Sequence, residues 1–256
     1  MYQAFVILQI YLLLKNTLMN NKIELIEIKR NQTGSGILIE NDGYISASID
    51  GNKKLFETLR EGFENNNEWK VPNPFIVSAV FQKYGIKNAN GRIYPEQVLK
   101  RQVDEYLSKI RDNSSFGELN HPSSSSIDGG RISHIIRELH WEGHTLVGKI
   151  ELHLSPGYIK FGVISTMGDM AANLLLSGYK IGVSSRGVGS VEQNRMGQYV
   201  VGDDFELVCW DIVTDPSTPG AWIAPDMADL KPYMENKTDK DISLLEKIDK
   251  ISSLLL

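Results

Sequence analysis

The sequence predicts an α+β fold in which a few helices surround an antiparallel or mixed β-barrel. Short strand-like runs recur between turn signals, mostly in pairs that read as hairpins, and helical spacing is confined to a few stretches. The chain of 256 residues, 41% hydrophobic and 23% charged, has ordinary globular composition, neither disordered nor fibrous. That length lies near the upper end for a single domain, so one main domain with appended terminal segments is expected rather than two equal domains.

The first element is Ala4 to Leu14, AFVILQIYLLL, interrupted only by Gln9. A membrane-spanning helix needs about 20 apolar residues. This run is too short, no Lys or Arg precedes it, and Lys15-Asn16 follows without an A-x-A cleavage site. It reads as a helix or strand packed on the body, or an extension upstream of the functional start, and no membrane partner is expected. Ile23 to Ile28 alternate apolar and polar. Gly36 to Glu40, Asn41-Asp42-Gly43 and Tyr44 to Ile49 read as a hairpin around an Asp-Gly turn. Asn65-Asn66-Asn67 and Pro72-Asn73-Pro74 mark a linker or boundary at 64–74. The expected organisation is an apolar segment 1–20, a β extension and linker 21–74, a main domain 75–230, and a tail 231–256. In that tail Ile242, Leu245, Ile248, Ile251 and Leu255 make a short amphipathic helix.

Within the main domain Phe75 to Phe81 is a strand and Asn88-Ala89-Asn90-Gly91 is turn chemistry. Pro95-Glu96 opens a helix on which Val98, Leu99, Val103, Leu107 and Ile110 recur. The four serines Ser123 to Ser126 read as a flexible loop without chemistry. Ile132 to Leu139 and Thr145 to Leu154 are antiparallel strands joined around Glu142-Gly143. Met167 to Leu176 is a helix stopped by Ser177-Gly178. Lys180 to Val183 starts a strand expected to end at Ser184-Ser185-Arg186-Gly187. After a polar excursion at Glu192 to Gln198, Phe205 to Val213 forms an apolar strand, closed by Asp215-Pro216 through Pro219-Gly220.

Composition excludes several function classes. With 27 basic against 32 acidic residues and a net charge of −5, the chain lacks the basic excess that drives phosphate-backbone binding, so nucleic acid is not expected as a partner. Cys209 is the only cysteine, which rules out a disulfide framework and thiolate-rich zinc sites. Gly143 to Ile150 fits G-x-x-x-x-G-K, yet Ile150 stands where a P-loop needs Ser or Thr and no helix follows. His140 and His144 have the spacing of helical metal ligands, but Gly143 between them indicates a turn. No metal or organic cofactor is expected.

Nucleophilic catalysis needs a hydroxyl, a base and donors for the developing oxyanion. Gly182-Val183-Ser184-Ser185-Arg186-Gly187 offers a serine at a strand end, backbone N–H groups near Arg186 and Gly187 as the oxyanion donors, and the Arg186 charge. Of five histidines, His121 in Asn120-His121-Pro122 is read as displayed from a loop. His134 and His153 fall in strand-like runs that favour a core or sheet-surface role. Asp211 interrupts an apolar strand, where a buried carboxylate needs a partner such as histidine. The alternative for Asp211 is a structural role near the following turn. Cys209, in the same strand, is a poor nucleophile because apolar burial raises a thiol pKa.

Several segments, in matching order, resemble the prohead, or capsid-maturation, serine proteases of contractile-tailed phages. They are Asn88 to Pro95, Gly117 to Pro122, Ser133 to Ile136, Gly182 to Ser190, Asp204 to Val208 and Asp215 to Ala221, covering roughly residues 75–225. The resemblance implies a fold similar to the herpesvirus capsid-assembly proteases and a serine endopeptidase without cofactors. Its substrates would be scaffold and capsid proteins inside an immature capsid in the host cytoplasm, cut after glutamate, with self-processing and a homo-oligomeric state in the prohead. Its histidine falls on His121 and its serine on Ser184, with Ser185 as the alternative nucleophile; the third residue varies, leaving Asp211 to rest on position and chemistry. Glutamates preceded two residues earlier by an aliphatic residue, Glu27, Glu40, Glu57 and Glu246, are the candidate self-cleavage sites, Glu246 drawing attention by its closeness to the C-terminus. The segment from Glu151 to Met167 departs from the pattern, as an added substrate-contacting loop or a neutral insertion. The competing expectation is a catalytically inactive assembly or scaffold protein that keeps the fold; a small-substrate hydrolase is disfavoured because G-x-S-x-G is absent around Ser184.

Overall fold

The computed structural model describes residues 25–40 and 71–234. The apolar run at 4–14, the second half of the 36–49 hairpin and the tail helix lie outside the described residues. Within them the chain forms two five-stranded sheets with short helices and turns. The first sheet is organised around the long strand β7 (Gly182–Gln193). β7 pairs with β1 (Gly34–Ile39) on one edge, β9 (Glu206–Val213) on the other, and β8 (Tyr199–Val201) near its end; β8 also pairs with β3 (Arg92–Ile93). In the second sheet the order is β10 (Ile223–Ala224), β2 (Ile76–Lys83), β6 (Thr145–Leu152), β5 (Ile132–Glu142), β4 (Phe116–Glu118).

Two expectations need correction. The strand expected to stop at Ser184 to Gly187 runs on to Gln193, because it is paired on both edges there. Ile39 lies across from Arg186 on one side, and Asp211, Trp210 and Cys209 face Ser184, Ser185 and Arg186 on the other. The expected barrel is present as two separate sheets. They touch at two isolated bridges, Leu119 to Ile212 and Gly182 to Trp222, with no continuous ladder at either seam. At the first seam the left-handed backbone of Asn120 (φ 69°) turns the chain, and Pro122 just after it has no N–H to donate.

The two sheets and the Glu96–Arg111 helix enclose one aromatic-rich core. Trp210 receives Phe81 and Tyr106 edge-on, at centroid distances of 5.4 and 4.9 Å, and Tyr94 packs on Phe205 in the same way. The helix buries Val98, Leu99 and Val103 as its apolar spacing predicts, and Tyr106 beside them, while Leu107 and Ile110 are half-buried. Its Gln102 side chain accepts from Leu207 N–H and Lys109 donates to Val208 O, which fixes the helix on β9. The segment departing from the family pattern is ordered through one carboxylate. Asp169, in the capping box of the Met167–Leu176 helix, also accepts from Ser155 and Ser165 and so binds the helix Pro156–Phe161 back to it. Gly143 sits in the β5–β6 turn and Lys149 pairs with Glu138 across the strands, so the P-loop-like string is a hairpin, as its strand-forming residues predict.

Gly117 shows how closely β4 crosses the core. A Cβ there would stand 2.2 Å from Trp210 O and 2.4 Å from the His134 ring, both in the rigid interior. We expect Gly117→Ala to lower stability by about 1–3 kcal/mol through overpacking. Denaturant unfolding checks this, and a wild-type midpoint would contradict it.

Candidate active site

The pleat of β7 and β9 separates the two serines. Ser184 faces Asp211 and Arg186 faces Cys209 across the ladder, so these four side chains share one side of the sheet. Ser185, facing Trp210, belongs to the opposite side, where its hydroxyl meets that of Tyr94. Ser184 and Ser185 are each only 2% exposed.

His121 arrives along the outer edge of β9. Glu118 N–H donates to Asp211 Oδ1 at 2.9 Å, Leu119 bridges Ile212, and Asn120 N–H donates to Ile212 O at 2.8 Å. The backbone is thereby led to a point where His121 Nδ1 lies 2.7 Å from Asp211 Oδ2. The expectation of a displayed ring is corrected: the side chain is 3% exposed, because the buried carboxylate draws it in. With Nδ1–H donated to Asp211, Nε2 is left buried without a hydrogen-bond partner among the described residues. Ser184 Oγ does not bond to it; the hydroxyl donates to the backbone carbonyl of Glu40.

Asp211 is the hub of a buried ion network. Arg186 Nε donates to its Oδ2 at 2.9 Å and Arg186 NH2 donates to Glu118 Oε1 at 3.0 Å, all three side chains being fully buried. Glu118 also accepts from Asp128 N–H and from Arg131 Nε, both at 2.9 Å. Burial alone would raise the Asp211 carboxyl, but His121 and Arg186 outweigh it and hold the group at about 2. For Arg186, burial is outweighed by Asp211 and Glu118, which raise its pKa further. Burial, followed by the Asp211 charge, pushes the Cys209 thiol well up, in keeping with its reading as a poor nucleophile. His134 is a core histidine: it accepts from Ser133 Oγ and donates to Trp210 O, and burial lowers it to about 4.

The expected oxyanion donors differ from the geometry. Arg186 spends its guanidinium on Asp211, Glu118 and the carbonyls of Ser124 and Ser126, and both Arg186 and Gly187 lie within the two-sided ladder of β7. The four-serine stretch is therefore an anchored loop, held by that same arginine. Sequence reasoning missed a second buried cluster. The Glu40 carboxylate accepts from Asn88, Asn90, Arg92, Tyr94 and Ser217, and its backbone carbonyl accepts from Ser217 N–H as well as from Ser184. The available signal was the spacing of Asn88, Asn90 and Arg92, three polar residues at every second position ahead of Tyr94.

Comparison with known proteins adds three likenesses. A family model described as prohead core protein serine protease matches residues 37–231. The prohead core protein protease of Enterobacteria phage T4 is 31% identical over 194 residues, covering 74% of this chain and 84% of that protein. Among solved structures, the bacteriophage T4 capsid assembly protease matches 55% of this chain and 82% of its own, with a TM-score of 0.50 and 26% identity.

The depressed Asp211 value has a measurable consequence. A lowered folded-state pKa adds stability that is complete above the ordinary carboxylate value of 3.8 and is lost as pH falls through about 2. We expect wild type to lose on the order of 2 kcal/mol across that window through this group alone. Asp211→Asn, less stable near neutrality because the buried Arg186 charge loses one of its two carboxylates, should show a correspondingly flatter acid limb. Urea midpoints measured down the pH scale for both proteins decide, and parallel limbs would refute the assignment.

Proposed function

The chain belongs to the prohead core protein serine protease family, and from that premise we propose that it is a serine endopeptidase using Ser184, His121 and Asp211. Its substrates are scaffold and capsid proteins, cut during prohead maturation within the immature capsid in the host cytoplasm. The observation that carries the catalytic assignment is the 2.7 Å contact of His121 Nδ1 with Asp211 Oδ2, on the residue that faces Ser184 across the β7–β9 ladder.

In this mechanism the Ser184 side chain rotates from the Glu40 carbonyl toward Nε2 of His121, which takes its proton as Oγ attacks the peptide carbonyl carbon. Asp211 keeps the ring in the tautomer with hydrogen on Nδ1 and stabilises the imidazolium without itself being protonated. Collapse breaks the C–N bond, and His121 returns the proton to the leaving amine. Water, deprotonated by the same nitrogen, then releases the acyl group. Ser217 N–H, already donating to a carbonyl oxygen that touches the Ser184 hydroxyl, is the oxyanion donor we favour over Arg186 and Gly187.

Cleavage after glutamate and self-processing belong to the same proposal. Glu27 is half-buried and paired with Lys29, and Glu57 and Glu246 lie outside the described residues. Glu40 is the candidate whose carbonyl meets the Ser184 hydroxyl, which favours the Glu40–Asn41 bond as the self-cleavage site. The low exposure of Ser184 is the observation that an inactive assembly protein would also explain.

Mutagenesis separates these readings. Ser184→Ala should abolish cleavage of scaffold protein, by roughly 10⁴-fold or more, at a stability cost of about 1 kcal/mol for the lost hydrogen bond. Ser185→Ala should be milder. Asp211→Asn should retain residual turnover, reduced on the order of 10³-fold. Loss of activity in Ser185→Ala alone would move the nucleophile, and full activity in both serine variants would remove serine catalysis.

A further inference from the structure

The helix Met167–Leu176 has more apolar surface than the core uses. Ala171, Ala172, Leu175 and Leu176 are buried, yet Met167 and Met170, one helical turn apart, are each 39% exposed. A helix that is apolar all round is normally covered all round. The connection leading into it continues the same surface: Phe161 is 67% exposed, Val163 58% and Ile164 40%. Five of the eleven large apolar side chains exposed among the described residues thus fall within positions 161–170, and the only charged residue in that stretch, Asp169, is buried. An uncharged, exposed apolar patch marks an interaction surface. Its backbone is fixed, since Thr166 Oγ1 donates to His153 O, Val163 N–H donates to Gly157 O, and Asp169 accepts from Ser155 and Ser165. His153 also lines a cavity of about 270 Å³ walled by Phe116, Ile132 and Ile135, so the patch adjoins an apolar recess.

We propose that the C-terminal tail of this chain, residues 241–256, docks on that patch as an amphipathic helix. Leu244, Leu245, Ile248, Ile251 and Leu255 gather on one side of a helix of 3.6 residues per turn, and Ser243, Glu246, Lys250 and Ser253 on the other. The tail also starts in the right place. The segment just before it already lies on the second sheet, where Leu230 packs with Val80 and Val147, and Met234 O accepts from Lys83 Nζ at 3.3 Å. Lys83 pairs with Thr145 at the start of β6, and His153 follows the far end of that strand, about 27 Å away at roughly 3.3 Å per residue. Residues 235–240 span up to about 20 Å when extended, and residues 241–256 add about 24 Å as a helix, so the tail reaches the patch. The apolar run at 4–14 fits less well. It precedes residues 25–28, which pair beside β1 in the first sheet, and it has no polar side to turn to water. Two departures of this chain from its family meet in this docking: the segment around 151–167, and the tail beyond residue 231, where the family match ends.

The test uses the full chain and amide hydrogen exchange. Ile248→Asp combined with Ile251→Asp places charge in the middle of the tail's apolar side. Amides of residues 161–170 should then exchange at least about tenfold faster than in wild type, with those of β7 unchanged. Equal exchange at 161–170 in the two proteins overturns the docking, and a rise shared by β7 is general loosening and overturns it as well. Protection that fades on dilution, together with a dimer by light scattering, would assign the cover to a second copy of the chain and refute its own tail. If the variant aggregates, cross-linking of otherwise wild-type chains decides. Leu255→Cys should form a disulfide with Val163→Cys at least about tenfold faster than with Met196→Cys, an exposed position between β7 and β8, because docking raises the effective concentration only at the patch. Equal rates, or covalent dimers in place of a closed single chain, would overturn the proposal.

Discussion

The bidentate contact of Arg186 with Asp211, buried between β7 and β9, is the interaction on which the site depends. Neither charge would be tolerable alone in that interior. Together they set the register in which Ser184 faces Asp211, and Arg186 reaches past Asp211 to Glu118 and to the carbonyls of the serine loop. Glu118 in turn donates its N–H to Asp211 and lies three residues before His121. One ion cluster thus locks two strands and two loops, and the histidine is brought to the carboxylate by backbone that the same cluster holds. Because the ion pair is desolvated, its geometry is stiff, which holds the Asp211 carboxylate in one orientation toward His121.

Much of this was legible in the sequence for identifiable reasons. The helices at 96–111 and 167–176 had clear apolar spacing, and the β5–β6 hairpin and β9 were apolar runs between turn signals. Asp211 stood out because a carboxylate in an apolar strand needs a partner, and it has two in His121 and Arg186. The extension of β7 was not legible. Ser-Ser-Arg-Gly reads as a turn locally, and only pairing with β1 and β9, both distant in sequence, keeps it extended. Nor could the anchored serine loop be read, since a remote guanidinium holds two of its carbonyls. Residues 21–74 read in sequence as a β extension and linker; within them β1 pairs with β7 in the first sheet, and the family model matches from residue 37.

The Glu40 cluster escaped sequence reading for a different reason. Asn88, Asn90 and Arg92 have the composition of a surface turn, and nothing local reveals that a glutamate about fifty residues earlier completes them.

The adjacent serines make sense once both clusters are seen together. A strand sends neighbouring side chains to opposite sides, so Ser184 shares the side of Asp211 while Ser185 meets the Tyr94 hydroxyl, itself bonded to Glu40. Burial, then the Glu40 charge, pushes the Tyr94 phenol well up and keeps it a donor, while burial is outweighed at Glu40 by Arg92 and the neighbouring hydrogen bonds, which hold the acid ionised. Under the proposed function, the first serine serves the chemistry, while the second holds the Glu40 cluster to β7 through Tyr94. Both tasks therefore hang on one dipeptide of β7. Any shift of that strand by one residue would exchange the two faces and take both serines out of their clusters, a slip that the buried Arg186–Asp211 pair opposes.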